Sequence, residues 1–150
     1  MESELAQSTV ILTCPADERE SSVDFKHLSN TNISYFVGAD AHEEFLDCFL
    51  GGDRNLSPGL TGKNDYGFSK PNGEGNDVWI KTNSTTNPIC WSLKMHSDGD
   101  PRGAGNILLG DGSVQQTSSA RLRDFQTNAS VARSGEADEQ HKTSFRLIFP

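Results

Sequence analysis

The sequence predicts an α+β domain: a small antiparallel β-sheet of short strands, with one helix late in the chain. Its apolar residues cluster into short runs separated by segments rich in Gly, Asn and Ser, as is typical of strands joined by turns. Residues 118–132 differ, because their apolar side chains recur at helical spacing: Leu122, Phe125, Ala129 and Ala132. A chain of 150 residues is long enough for one domain with a single core.

The first predicted strand covers residues 9–13, TVILT, which are rich in β-branched side chains. It should stop at Cys14-Pro15, because proline cannot donate to a strand ladder. Residues 33–37 alternate with aromatic side chains and predict a second strand that ends at Gly38.

Residues 40–50 allow two interpretations. One is a helix with Asp40 as its N-cap, and the other is a brief helical turn followed by a strand over residues 48–50. Residues 53–75 are dense in Gly, Asn, Pro and Asp, so we expect a long surface loop there.

The second half of the chain contains the clearest strand signals. Residues 77–81 and 90–93 read as short strands, each with a tryptophan. Residues 106–109 form an apolar run bounded by glycines, and a further strand begins at Ser113 after the turn Asp111-Gly112. After a serine-capped helix over residues 118–132 and a polar break, residues 143–149 alternate as a final strand.

The charge of the chain excludes some functions. A net charge of -8 and a pI near 4.8 argue against nucleic-acid binding and against docking on an anionic membrane surface. The chain contains neither an apolar run of about eighteen residues, which a membrane span needs, nor a basic leader followed by an apolar segment.

The cysteines Cys14, Cys48 and Cys90 allow two interpretations. They either form one disulfide and leave one thiol over, or remain buried free thiols. Because no C-x-x-C spacing occurs, the sequence predicts no zinc site.

Calcium is the cofactor to consider. Asp98, Asp100 and Asp111, together with loop carbonyls, offer the oxygen ligands that calcium prefers, although the run lacks the further acidic residues of an EF-hand loop. The competing interpretation is that these aspartates are ordinary turn residues. Asp53 is a weaker candidate ligand, and an Asp53–Arg54 turn is the simpler interpretation there.

A hydrolase would pair His96 with Asp111 or Asp98 and would need a serine nucleophile, but no G-x-S-x-G context is present. We therefore predict no enzymatic activity, and expect His96 to bond a loop backbone or to pack beside Trp91. The aromatic residues could line a ligand surface, but strand aromatics are usually core: Trp79, Trp91, Tyr35 and Tyr66.

The stretch from His96 to Val114 resembles the C-terminal signature of a bacterial family of prepilin-type, pseudopilin-like proteins, the H-x9-DG domain. Its parts are a histidine, a spacer rich in Asn and Gly, an apolar strand, and Asp-Gly before a further strand. Here they correspond to His96, residues 105–110, Asp111-Gly112 and residues 113–114. Fourteen residues, 97–110, separate His96 from Asp111 where the family name implies nine, most simply through an insertion in the loop at 98–103.

Upstream segments resemble the same family in the same order. The run TVILTCPAD at residues 9–17 is similar to a strand followed by Cys-Pro-x-Asp, here Cys14, Pro15 and Asp17. The segments NISYFVG at 32–38 and GDRNL at 52–56 are similar to segments that accompany it. The resemblance favours the strand over residues 48–50.

The resemblance implies a pilin-like head domain over residues 9–150, with residues 1–8 as the remnant of a linker to an apolar N-terminal helix missing from this chain. The full-length protein would be anchored in the inner membrane by that helix before assembly. The head would then lie in the periplasm or outside the cell, as a structural subunit of a type II secretion or type IV pilus-like fibre among other pilin-like subunits.

Such a head should leave an apolar strip of its sheet uncovered where the helix packs. Because some major pseudopilins of type II secretion systems bind calcium in a C-terminal loop, the resemblance also favours calcium at residues 96–111. The alternative function is a secreted module that binds calcium or another ligand through that loop.

Overall fold

The computed structural model describes residues 8–42, 44–97, 102–129 and 143–150. Within them the chain forms eight strands and one α-helix. In chain order these are β1 (Tyr35–Gly38), β2 (Phe49–Asp53), β3 (Leu56–Pro58), β4 (Asn76–Lys81), β5 (Ile89–Trp91), β6 (Ala104–Leu109), β7 (Val114–Ser118), α1 (Ser119–Asn128) and β8 (Ser144–Phe149).

Six strands form one sheet in the order β4-β8-β1-β2-β6-β7, and every neighbouring pair is antiparallel. β3 and β5 pair as a separate two-stranded sheet. The predicted α+β class, with an antiparallel sheet and one late helix, is confirmed. Among the described helices, none is both long and apolar enough to cross a bilayer.

The hydrophobic core lies on one face of the six-stranded sheet. Phe36 from β1, Ile107 from β6 and Leu147 from β8 point into it and are almost fully buried. The opposite wall consists of the β3–β5 pair, through the fully buried Trp91, and α1, through Leu122. Fully burying one such side chain contributes about 1.5–3 kcal/mol, so this layer dominates the stability of the domain.

Helix α1 begins where the serine signal predicted. The Ser118 hydroxyl accepts a hydrogen bond from the amide of Arg121, which satisfies one of the unpaired amides of the first turn. The helix ends at Asn128 with Ala129 as its non-helical C-cap, so the prediction is wrong at Ala129. Residues 130–132 of the predicted helix lie outside the described residues. The buried Gln126 side chain joins the helix to the connection between β4 and β5. Its oxygen accepts a hydrogen bond from the amide of Ile89, and its nitrogen donates to the carbonyls of Lys81 and Asn87.

The predicted hairpin at residues 106–114 is confirmed. The amide of Leu109 bonds the carbonyl of Ser113, and the loop between them is Gly110-Asp111-Gly112. Within this loop only Gly112 takes a positive φ, +80°, a conformation that favours glycine, while Asp111 keeps an ordinary backbone.

Two predictions from the sequence are wrong. Residues 9–13 contain a 3-10 turn, Val10–Leu12, instead of a strand, because the amides of Leu12 and Thr13 bond back to the carbonyls of Thr9 and Val10. Residues 53–75 are not a surface loop throughout, since β3 occupies their start and is buried against β5 at Leu56 and Ser57.

The structure also decides between the alternatives for residues 40–50 and for the cysteines. Residues 40–50 follow the second interpretation, since β2 starts at Phe49. The strands predicted over residues 77–81, 90–93 and 143–149 correspond to β4, β5 and β8. All three cysteines are buried free thiols.

Candidate functional site

The Cys14-Pro15-Ala16-Asp17 motif forms a tight turn, in which the carbonyl of Cys14 accepts a hydrogen bond of 2.9 Å from the amide of Asp17. Proline at the second position favours such a turn because its φ is already fixed. The turn directs the Cys14 and Asp17 side chains to two neighbouring sites at the end of β2.

Asp17 binds Arg54, the residue that follows β2, through two parallel hydrogen bonds of 2.6 and 2.7 Å. Both side chains are buried, and the guanidinium carbon lies 3.4 Å from the centre of the Tyr66 ring. Burial alone would raise the pKa of Asp17, but the hydrogen bonds and charge of Arg54 lower it to about 2. This pair fixes the turn to the sheet.

The loop between β5 and β6 positions His96. The Ser97 hydroxyl donates to the carbonyl of Ser92 and accepts from the amide of Ala104, and the buried Asn55 amide donates to the carbonyl of Lys94. Before the histidine, Met95 adopts a left-handed φ of +57°, which is rare for a residue with a side chain. The described residues before and after His96 are therefore each anchored by hydrogen bonds.

Cys14, Asp53 and His96 meet in one cluster. The Cys14 Sγ atom lies 3.3 Å from His96 Nε2, and the same nitrogen lies 3.5 Å from Asp53 Oδ2. Asp53 Oδ2 also accepts hydrogen bonds from Asn106, at 2.6 Å from its backbone amide and 3.1 Å from its side chain. Asp53 Oδ1 is buried without a hydrogen-bond partner.

The protonation of this cluster follows from its burial. Cys14 and Asp53 are 4% and 1% exposed, and burial raises the pKa of each. The neighbouring carboxylates of Asp53 and Asp17 raise the pKa of Cys14 further, since a thiolate beside them would be repelled. Burial therefore disfavours the charged forms of both the Cys14 thiol and the Asp53 carboxyl.

The cluster lies in a groove of about 580 Å³ on the face of the sheet opposite the core. An apolar row crosses this face at directly paired positions. Its members, strand by strand from β8 to β7, are Ile148, Val37, Gly51, Leu108 and Val114. Val37 is 59% exposed, Val114 67% and Ile148 45%, so the described residues leave this row open to solvent. We call it the apolar row.

The candidate calcium ligands are only partly described. Asp98 and Asp100 lie outside the described residues, and Asp111 stands in the exposed hairpin turn, where its carboxylate accepts the amide of Ser113 at 2.8 Å. The calcium site therefore stays a prediction. Asn106 of β6 lies beside the His96 cluster, whereas Asp111 lies in the hairpin turn after the other end of β6. His96 therefore contacts Asp53 instead of Asp111.

The aromatic residues divide between core and surface. Trp91 is fully buried, as expected for a strand aromatic, and its indole nitrogen donates to the Thr117 hydroxyl at 2.9 Å. Trp79 is 44% exposed on the outer side of β4, and Tyr35 lines the groove.

Sequence reasoning named His96, Cys14 and Asp53 but did not place them together. His96 neither packs beside Trp91 nor bonds the loop backbone in the contacts described; it faces the thiol and the carboxylate. A usable signal was present in the sequence. Cys14, Asp53 and His96 each stand in one of the segments that resemble the prepilin-type family, residues 9–17, 32–38, 52–56 and 96–114, which we call the family-like segments.

No protein-family model, curated protein or solved structure matches this chain.

Proposed function

We propose that this chain is the head domain of a pseudopilin-like structural subunit, which assembles into a type II secretion or type IV pilus-like fibre. In this proposal an apolar N-terminal helix of the full-length protein packs on the apolar row. The observation that carries the proposal is the exposed apolar row itself.

A solvent-facing side of an antiparallel sheet normally carries polar side chains. Here Val37 on β1, Leu108 on β6 and Val114 on β7 are aligned on that side. Gly51 of β2 lies between the first two, and Ile148 of β8 lies beyond Val37. Covering each partly exposed side chain would contribute on the order of 1 kcal/mol. A row of this kind is the surface that a sheet presents to a second layer of structure.

The position of the groove supports packing of a segment that leads into the domain. Cys14 and Pro15 form part of its lining, and the carbonyl of Leu12 accepts a hydrogen bond from the amide of Ser34, just before β1. A helix leading into residue 9 would therefore enter the domain beside the groove. A helix satisfies its own backbone hydrogen bonds, so it can cover the row without needing a free strand edge.

The family-like segments also surround this groove. Cys14 and Pro15, β1, the end of β2 and the β6–β7 hairpin all contribute to its lining, although they are far apart in sequence. Their meeting at one surface supports the proposal that they share one task there.

The proposal implies assembly instead of catalysis. Its partners are other pilin-like subunits, and the membrane is contacted only through the N-terminal helix before assembly. The head would work in the periplasm or outside the cell, where an acidic surface of net charge -8 keeps it hydrated and away from nucleic acid.

The test uses the full-length gene product and compares it with the 150-residue chain by hydrogen exchange. We expect an apolar N-terminal helix in the full-length protein, and slower exchange of the β1, β2 and β6 amides in its presence. Val37→Lys and Val114→Lys should abolish fibre assembly while the isolated domain keeps its melting temperature. Val23→Lys is the matched control, because Val23 is 88% exposed and does not line the groove.

Three results would contradict the proposal. One is a full-length protein without an apolar helix. The second is normal assembly of both lysine variants. The third is that the isolated chain forms a dimer and that either lysine variant makes it monomeric. The apolar row would then be covered by a second copy of the chain.

A further inference from the structure

We infer that Cys14, Asp53 and His96 bind a divalent transition-metal ion of the zinc class, to which the described residues supply three ligands. This inference is independent of the proposed function, because it rests on the cluster and not on the apolar row.

Two of the donor spacings, both measured from His96 Nε2, lie in the range of a tetrahedral metal site. Zinc lies roughly 2.3 Å from a thiolate sulfur and 2.0–2.1 Å from an imidazole nitrogen or carboxylate oxygen. Tetrahedral angles then place neighbouring donors about 3.3–3.6 Å apart. The observed distances are 3.3 Å from Sγ to Nε2 and 3.5 Å from Nε2 to Oδ2, and all three donor atoms lie within 4.8 Å of one another.

The orientation of His96 separates a metal site from a nucleophilic dyad. In a Cys-His or Ser-His nucleophile, the imidazole binds the nucleophile through one nitrogen and the orienting group through the other. Here Cys14 and Asp53 both approach Nε2, so the carboxylate competes with the thiol for one position. A cation held between the three donor atoms would relieve this competition.

The composition of the cluster also calls for a cation. A thiol, a carboxylate and an imidazole are the ligand types of zinc, whereas calcium and magnesium prefer oxygen alone. Asp53 Oδ1 is a buried carboxylate oxygen without a hydrogen-bond partner, which is costly in the absence of a compensating charge.

Each ligand is already held in place by a second contact. The turn closed by Asp17 fixes Cys14, and Asn106 binds Asp53 Oδ2 through two hydrogen bonds. Ser97, the residue after His96, is anchored by its hydrogen bond to the carbonyl of Ser92. In known metal sites, supporting contacts of this kind orient the residues that bind the metal. The absence of a C-x-x-C spacing does not argue against this site, because each ligand comes from a different segment of the chain.

The experiment adds Zn²⁺ or Co²⁺ to the reduced, chelator-treated chain. We expect one equivalent of Zn²⁺ to bind. At about one hundred times its dissociation constant, Zn²⁺ should raise the melting temperature by about 5–10 °C. Co²⁺ should give a thiolate charge-transfer band and the intense visible bands of tetrahedral coordination. Ca²⁺ at the same concentration should change neither readout.

Cys14→Ser and His96→Gln should each remove the cobalt thiolate band or weaken metal binding at least about tenfold, as the loss of one of three ligands demands. Cys48→Ser and His42→Gln are the matched controls, since both residues lie outside the cluster, and should bind as the parent chain does.

The inference is overturned if the parent chain binds no Zn²⁺ and shows no thiolate band with Co²⁺. It is also overturned if Cys14→Ser keeps that band or if a control variant loses it. The measurement on the parent chain decides the matter even if a cluster variant fails to fold.

Discussion

Replacing Asp17 with asparagine should destabilise the domain strongly, because it leaves the Arg54 guanidinium buried without its carboxylate. Both side chains are buried, at 0% and 3% exposure, and the pair is joined by two short hydrogen bonds. Removing one partner of a buried ion pair costs about 3–5 kcal/mol. We expect a loss of this size in the free energy of unfolding at pH 7, measured by urea denaturation.

Part of that stability depends on pH in a defined direction. The pKa of Asp17 falls from 3.8 to about 2 on folding, which corresponds to about 2 kcal/mol. Because the folded pKa is the lower one, this stabilisation is fully present above pH 4 and is lost as the pH falls toward 2. The Asp17→Asn variant should lack this component, so its stability should fall less steeply between pH 4 and pH 2 than that of the parent chain.

Asp124→Asn is the control for this measurement. Asp124 pairs with Arg121 at the surface, where both side chains are 62% exposed, so its removal should change stability by less than about 0.5 kcal/mol. A loss below about 1 kcal/mol for Asp17→Asn, or an unchanged slope between pH 4 and pH 2, would refute this account of the pair.

Three further predictions concern packing and backbone geometry. In Gly38→Ala the new Cβ would lie 1.7 Å from the backbone carbonyl oxygen of Phe49, so β1 and β2 must separate. We expect the free energy of unfolding, measured in urea, to fall by about 3 kcal/mol or more. A near-neutral result would contradict the pairing register of β1 with β2. Gly112→Ala meets open space but keeps a φ of +80°, so thermal unfolding should report a loss of only about 1–2 kcal/mol with the hairpin retained. Leu122→Ala removes a fully buried side chain and should cost about 2–5 kcal/mol by calorimetry, whereas a loss below about 1 kcal/mol would mean that α1 does not close the core.

The elements that the sequence predicted correctly carry their own local signals. The β6–β7 hairpin has the Asp111-Gly112 turn, and α1 has a serine cap followed by an apolar face. Residues 9–13 misled the prediction because β-branched side chains favour a strand only where a neighbouring strand is free to pair. There the amides of Leu12 and Thr13 find closer partners within their own turn.

The candidate site was less accessible, because long-range contacts build it. Nothing in the local sequence brings Cys14 to His96, which lies 82 residues away. Polar residues misled the prediction as well: the loop signal over residues 53–75 began with Asp53, Arg54 and Asn55, all of them buried through pairing. A buried polar residue looks like a surface residue until its partner is known.

The position of β8 in the sheet has a consequence for folding kinetics. It lies between β4 and β1, and its residue Ile148 pairs with Val37, near the other end of the described chain. Neither neighbour can complete its hydrogen bonding until this late segment arrives, and closing such long loops is entropically slow. We expect folding on a timescale of milliseconds to seconds, with the edges of β1 and β4 exposed to chaperones or to misassembly in the meantime.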